Sequence, residues 1–462
     1  MANPQFRSQV PAQTLWAAQA LLPSGWAAQV RLTLAQGRIA EIQVGVPAAT
    51  GDTRVDALLP GLGNLHSHAF QRGMAGLTEV GGPSGDSFWS WRELMYRFVD
   101  RLDPDSLQAI AEQAYMEMLE AGFTRVGEFH YLHHGPGGRP YTDPAEMSTR
   151  IAAAAASTGI GLTLLPVFYA HADFGAAPPT PAQARLIHDL DAFAQLLDGC
   201  TRALAPLPDA VLGVAPHSLR AVTPAQLQAL IGLRDGPIHL HIAEQQREVD
   251  ACLAWSGLRP VQWLYAHLPV DRRWCLVHAT HVDANELQSI VASAAVVGLC
   301  PITEANLGDG LFPMASFAAS GGRFGVGSDS NVLIDAAEEL RLLEYGQRLH
   351  VRARNVLAPA GSASGGWLYR QALDGAAQAL GVTQVGLVAG AAADLLALEL
   401  QHPALAARSG DALLDSWVFA ARGGAVRTVW RAGRVVVADG RHVDRERIGA
   451  RYRATLRSLL NA

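Results

Sequence analysis

Leu58-Leu59-Pro60-Gly61-Leu62-Gly63-Asn64-Leu65-His66-Ser67-His68 is an apolar run that breaks at Pro and Gly, resumes, and ends in two histidines one residue apart. Read as a strand, it points residues i and i+2 to the same face. His66 and His68 then aim their imidazoles at one space, the geometry for gripping a metal ion. Seven further apolar runs of strand length follow, each trailed by a longer helical stretch: Gly122–Phe129, Gly161–Tyr169, Val211–His217, Pro237–Ala243, Trp274–His278, Ala294–Cys300 and Arg323–Ser328. Pro104–Ala121, Pro181–Leu197 and Pro224–Leu233 read as helices among them, the first and third opening on Asp-Pro and Thr-Pro starts. Eight strand-then-helix units predict an α/β fold, a closed (β/α)8 TIM barrel spanning residues 58–387.

On either side the texture is different. Residues 1–57 alternate in short segments such as Val30–Leu34 and Ile39–Val44, which predicts half-buried β-structure. After residue 388 short strands return at Asp394–Leu398, Trp417–Ala420 and Val426–Val437, and Arg441–Leu460 reads as an amphipathic helix. Residues 1–57 and 388–462 are therefore expected to form one small β-sandwich domain beside the barrel.

Composition excludes several classes. The chain has 462 residues, 49% of them hydrophobic, and a net charge of −6, without a basic block. This speaks against disorder, a nucleic-acid surface and an anionic membrane surface. The four cysteines (Cys200, Cys252, Cys275, Cys300) stand far apart, as buried thiols do in a reducing compartment. Met1–Gly25 carries no signal-peptide pattern and no run is long enough to span a bilayer, so a cytoplasmic protein is expected. All 36 basic residues are arginine, which removes lysine chemistry and lysine-derived ligands.

A barrel carries its chemistry at the C-terminal ends of its strands. His66 and His68 end the first. His239 and His241 share a face of the fifth, and His241 lies nearer its end. His278 ends the sixth and Asp329 follows the eighth. Three histidines and one carboxylate suit a single divalent ion, Zn²⁺ first, with Fe²⁺ or Mn²⁺ as alternatives. The expected ligands are His66, His68, His241 and Asp329.

These residues, with the pair His241-x-x-Glu244, resemble the mononuclear deaminase branch of the metal-dependent amidohydrolase superfamily. More narrowly, His68-Ala69-Phe70-Gln71-Arg72, Phe88-Trp89-Ser90-Trp91-Arg92, Gly127-Glu128-Phe129-His130-Tyr131 and Ala215-Pro216-His217-Ser218-Leu219-Arg220 are similar to the formimino-L-glutamate deiminase family of histidine breakdown. The resemblance implies metal-activated hydroxide attack on a formimino carbon, releasing ammonia. Asp329 and His278 would then accept the water's proton and steady the hydroxyl, while Glu244 protonates the imino nitrogen. The implied substrate is a small dicarboxylate, and arginine forks match carboxylates bidentately. Arg92 and Arg220 are assigned to them, with Gln71, Tyr131 and His217 as hydrogen-bonding partners. A homodimer is expected.

Gly73–Tyr96 is too long for an ordinary βα loop and reads as a lid. His130, His133 and His134 are expected at the surface or behind the ligands, and His171, His188 and His281 as structural. Two rival functions share the barrel. A deaminase or dechlorinase of an aromatic ring (guanine, adenosine-type or triazine) would want stacking rather than two arginine clamps. A non-catalytic scaffold would have lost ligands that are all present here.

Overall fold

Gly61 divides the opening run into two strands that belong to different sheets. In the computed structural model, which describes residues 13–81 and 87–461, Thr53–Pro60 pairs in parallel with Gln13–Leu22 and antiparallel with Leu395–Leu398. Leu62–Ser67 instead begins the parallel strands, pairing with Phe123–His130. The single strand expected over 58–68 is thus two. The reason is local: Pro60 lacks an N–H, and a Cβ at Gly61 would lie 2.2 Å from Thr124 Cγ2, so only glycine passes this close to the neighbouring strand. The start of Met1–Gly25 and residues 82–86 of the expected lid lie outside the described residues.

The two chain ends share one eight-stranded sheet, in the order Arg441–His442, Arg434–Ala438, Val426–Arg431, Leu395–Leu398, Thr53–Pro60, Gln13–Leu22, Gly25–Ala35, Arg38–Val44. It has a core of its own, which includes Leu15, Val30, Leu32, Leu58, Leu395 and Trp430. Three expectations for these flanks change. Trp417–Ala420 is the end of helix Asp411–Ala420, whose Leu413, Leu414, Trp417 and Val418 are buried at helical rather than alternating spacing. Val426–Val437 turns back on itself as a hairpin at Ala432-Gly433, with strands Val426–Arg431 and Arg434–Ala438. The terminal helix begins at Arg445, after the short strand Arg441–His442.

The parallel strands form two runs. Leu62–Ser67, Phe123–His130, Gly161–Phe168 and the short Val211–Leu212 make the first; Ile238–Ile242, Trp274–His278, Val296–Leu299 and Arg323–Val326 make the second. Parallel bridges Val214–Ile238 and Ser67–Asp329 link the runs at both seams. The expected strand Val211–His217 is only Val211–Leu212 and Ala215–Pro216, because the backbone changes partners between them: Gly213 N donates to the Leu164 carbonyl and Val214 N to that of Pro237. The helix expected from Pro181 starts at Leu190 behind an Asp189 cap; Pro181–Gln183 is a 3-10 turn.

The C-terminal end of helix Ser364–Ala379 fills the end of the strands opposite the histidines. Ala376, Ala379 and Leu380 cluster there with Leu65, Cys275, Val277 and Val296, and Thr163 Oγ1 donates to the Leu380 carbonyl at 2.8 Å. His239 belongs to this floor. Its Nε2 donates to the Ala379 carbonyl at 2.8 Å, so the face it shares with His241 serves structure at one level and chemistry at the next.

A buried ionic seam ties the flanking sheet to the parallel strands. Asp209 lies between Arg125 and Arg431, and Arg431 Nη1 also reaches Asp394 Oδ1 at 2.9 Å. Gly161 leaves room for the Arg431 guanidinium, 2.7 Å from where a Cβ would stand. The four cysteines are buried and free. Among the described residues no helix is long and apolar enough to cross a membrane.

Candidate active site

His66, His68, His241 and Asp329 converge so closely that one ligand atom from each lies within 4.8 Å of every other. Nε2 of His66 is 3.2 Å from Nε2 of His68 and 3.0 Å from Nε2 of His241. Asp329 Oδ1 stands 3.2 Å from His68 Nε2 and 3.6 Å from His66 Nε2. The tautomers follow from the other ring nitrogens. His68 Nδ1 faces the Phe129 carbonyl at 2.9 Å, and His241 Nδ1 faces the His217 carbonyl at 3.1 Å. A carbonyl can only accept, so both Nδ1 atoms carry the proton and both Nε2 atoms present lone pairs. Burial holds the imidazoles of His66 (down to about 3) and His241 well below their ordinary range, so both are neutral at physiological pH. Ring nitrogens and a carboxylate gathered this tightly, with the buried His66 Nδ1 left without a partner among the described residues, favour a cation between them. The donor set fits a divalent metal ion.

The loop holding Asp329 is fixed from behind. Asn331 Nδ2 donates to the His68 carbonyl at 3.0 Å and to Ser67 Oγ at 3.1 Å, and Asn64 Nδ2 donates to Ser328 Oγ at 2.6 Å. Ala243, His278 and Asp329 have left-handed backbones, with φ of 51°, 67° and 43°. Such conformations cost on the order of 1–3 kcal/mol each and persist where the surroundings over-determine them.

Two further groups face this cluster. His278 Nε2 lies 3.8 Å from Glu244 Oε1 and 3.7 Å from Asp329 Oδ2, and its Nδ1 lies 3.2 Å from Glu304 Oε1. Burial alone would lower the His278 pKa, but the carboxylates of Glu244, Glu304 and Asp329 outweigh it and lift it to about 10. Burial pushes Glu244 up to about 7, where a carboxyl can both hold and release a proton near neutrality.

A cavity of about 580 Å³ opens above these groups. Every predicted site residue lines it except His66, which lies beneath, fully buried. Gln71 stands on the turn Ala69–Met74 and donates to Tyr131 OH at 2.7 Å, leaving its buried Oε1 unpartnered. Arg92 projects from helix Phe88–Val99. Arg220 is buried with Nε unpartnered. The two guanidiniums approach the Trp89 ring at 4.6 and 5.8 Å, and Arg247 approaches the same ring at 4.4 Å from outside the cavity. Among the described residues neither Arg92 nor Arg220 has a carboxylate within 4.0 Å.

An amidohydrolase family model matches residues 57–436, and a model of the N-terminal domain of the formimidoylglutamate deiminase HutF matches residues 12–56. The chain belongs to the amidohydrolase family. Within it, this amidohydrolase is 53% identical over 453 residues to formimidoylglutamate deiminase of Pseudomonas aeruginosa, covering 97% of this chain and 99% of that one. An amidohydrolase crystal structure from Brucella melitensis matches with a TM-score of 0.95 and 51% identity, covering 97% of this chain and 100% of that one. A zinc-bound adenosine deaminase from Xanthomonas campestris matches with a TM-score of 0.80 at 21% identity, covering 97% of this chain and 99% of that one, and shares the fold.

Sequence reasoning missed part of this amidohydrolase site. Trp91, Met95, Tyr96, Tyr169, Leu186 and Thr303 also line the cavity. Phe88, Arg92, Met95 and Tyr96 are spaced as one helical face, a signal that reading Gly73–Tyr96 as a lid loop passed over. Glu304 and Asp309 carried no motif. Asp309 is buried and accepts from Gln245 Nε2, and burial, then Glu244, push its carboxyl up to about 9. Three of the other histidines hold backbone: His133 and His134 donate to the Val167 and Ile187 carbonyls, and His281 to that of Asp309, at 2.9, 2.9 and 2.8 Å, whereas His130 is buried with neither ring nitrogen partnered among the described residues.

Proposed function

We propose that the chain hydrolyses N-formimino-L-glutamate to N-formyl-L-glutamate and ammonia in histidine degradation. The observation that carries this reading is the pair Arg92 and Arg220, two guanidiniums without carboxylate partners among the described residues, on a cavity whose floor holds the His/Asp cluster. A dicarboxylate supplies what both lack. Gln71, Tyr131 and His217 complete the hydrogen bonding around it.

His66, His68, His241 and Asp329 would hold one divalent ion, zinc by the donor set and Fe²⁺ as the alternative. When bound, that ion supplies the acidification of water that hydrolysis needs at neutral pH. Asp329 receives the proton as the water oxygen bonds to the formimino carbon, and His278 steadies that oxygen. Glu244 delivers a proton to the imino nitrogen; the proton held by Asp329 then passes to the resulting amine while the hydroxyl proton returns to Glu244, the C–N bond breaks, and ammonia leaves.

For the architecture we read the two parallel runs as one closed (β/α)8 barrel, supported by the bridges at both seams. The flanking strands are read as a small β-sandwich domain, supported by their separate core. The functional test is ammonia release from formiminoglutamate against guanine. Turnover of the first alone is expected; turnover of guanine alone would replace this reading with an aromatic-ring deaminase.

A further inference from the structure

Glu304 has no place in the reaction derived above, yet it is buried against a group that does. It stands on the short helix Pro301–Leu307, and its Oε1 accepts from the Cys300 backbone N–H at 2.9 Å while facing His278 Nδ1 at 3.2 Å. The helix is itself braced: Ser330 N donates to Thr303 Oγ1 at 3.3 Å, and Ile302 N to Glu339 Oε2 at 3.0 Å. The carboxylate is therefore a fixed point, whereas His278 sits on a left-handed backbone (φ 67°) that needs holding. An acceptor fixed at Nδ1 dictates where the ring proton resides and which way the other nitrogen points. Here Nε2 points between Glu244 and Asp329.

We propose that Glu304 is a positioning residue, which keeps the His278 ring with Nδ1–H toward itself and Nε2 toward the reacting centre. The proposal rests on the hydrolytic reading of the site. Removing the acceptor frees the ring to turn, so the reaction slows while substrate affinity and metal content stay unchanged. The oxygen of a glutamine can still accept from both partners, so Glu304→Gln retains orientation without the charge.

The test compares Glu304→Ala and Glu304→Gln with the wild-type holoenzyme. For Ala, kcat should fall roughly 10–100-fold, the usual scale for a lost outer partner, with KM and metal content unchanged; Gln should recover most of that loss. A proton spectrum should show a low-field imidazole N–H that His278→Gln and Glu304→Ala both abolish. Unchanged kcat in Glu304→Ala, a surviving low-field signal, or KM and metal content failing together with kcat in both variants would overturn the proposal. If Glu304→Ala does not fold, Glu304→Gln carries the test, because a side chain of the same size with kcat as low as that of His278→Gln also overturns it. The proton spectrum needs no substrate, so it judges the contact even if formiminoglutamate is not turned over.

Discussion

Nε2 of His241 faces Nε2 of His66 at 3.0 Å, although the two residues lie 175 positions apart, and His241 has its only ring proton on the opposite nitrogen. A cation held between these nitrogens would satisfy both, with Asp329 Oδ1 beside them. One equivalent of divalent metal per chain is expected by elemental analysis, and stripping it with a chelator should abolish turnover and lower the unfolding temperature, since an ion held only by the native state stabilises that state. Two tightly held equivalents, or an unfolding temperature indifferent to chelator, would contradict the four-residue ligand set.

Glu244 is separated from the ligands in its role. Glu244→Gln should keep wild-type metal content and substrate affinity while turnover falls roughly 10²–10⁴-fold, the scale of a missing acid–base group. Steady-state kinetics alongside metal analysis decides it. Turnover within a few-fold of wild type would assign the proton transfer to another residue.

Arg92 and Arg220 carry the substrate reading. Hydrogen bonds to charged groups contribute about 1.5–3 kcal/mol each, so Arg220→Met should lower kcat/KM at least ~10-fold, and Arg92→Met likewise. Neither should alter metal content. The sharper comparison uses a formimino derivative of a neutral amino acid. Wild type should discriminate strongly against it, and the variant lacking the matching arginine far less. Equal turnover of both substrates by wild type would remove the dicarboxylate from consideration.

Asp209 gives the seam between the two sheets a pH dependence. Burial would raise its carboxyl, but Arg431 and Arg125 outweigh that and hold it below its ordinary 3.8. A carboxyl depressed in the folded state contributes stability that is complete above the unfolded value and disappears as pH falls through the native one. Urea unfolding should therefore show this contribution intact at pH 6 and fading below about pH 4. Asp209→Asn should cost roughly 2–4 kcal/mol at neutral pH by leaving two buried guanidiniums short of a partner, a figure discounted for the partial exposure of Asp209. It should also flatten the acid limb, and an unchanged limb would place the titrating group elsewhere.

The order of elements and the metal cluster were legible because both rest on simple periodicities. Strand parity put His66 with His68, and strand ends put His241, His278 and Asp329 at one mouth. Parity could not separate His239 from His241, since both satisfy it; depth along the strand decides, and depth is set by helix Ser364–Ala379 arriving from far along the chain. Glu304 was invisible for a related reason: its partner, 26 residues away, meets it only across two strands. Trp417–Ala420 misled because four apolar or aromatic residues fit a buried strand and the end of a buried helix equally well. Gly61 was read as a pause within one strand, and only the crowding by Thr124 shows that the chain changes sheets there.

The position of Thr53–Pro60, between a strand from the N-terminal end and Leu395–Leu398, has a consequence for biosynthesis. A ribosome makes Gln13–Leu22 and Thr53–Pro60 early, then every parallel strand, before Leu395–Leu398 emerges to cover the open side of Thr53–Pro60. Until then a long apolar strand edge stays unpaired, a template for association with other chains. Pairing across so much intervening sequence is also slow. A late-made segment therefore locks an early-made one, and a nascent chain that stops after its eighth parallel strand has its chemistry encoded but its edge exposed.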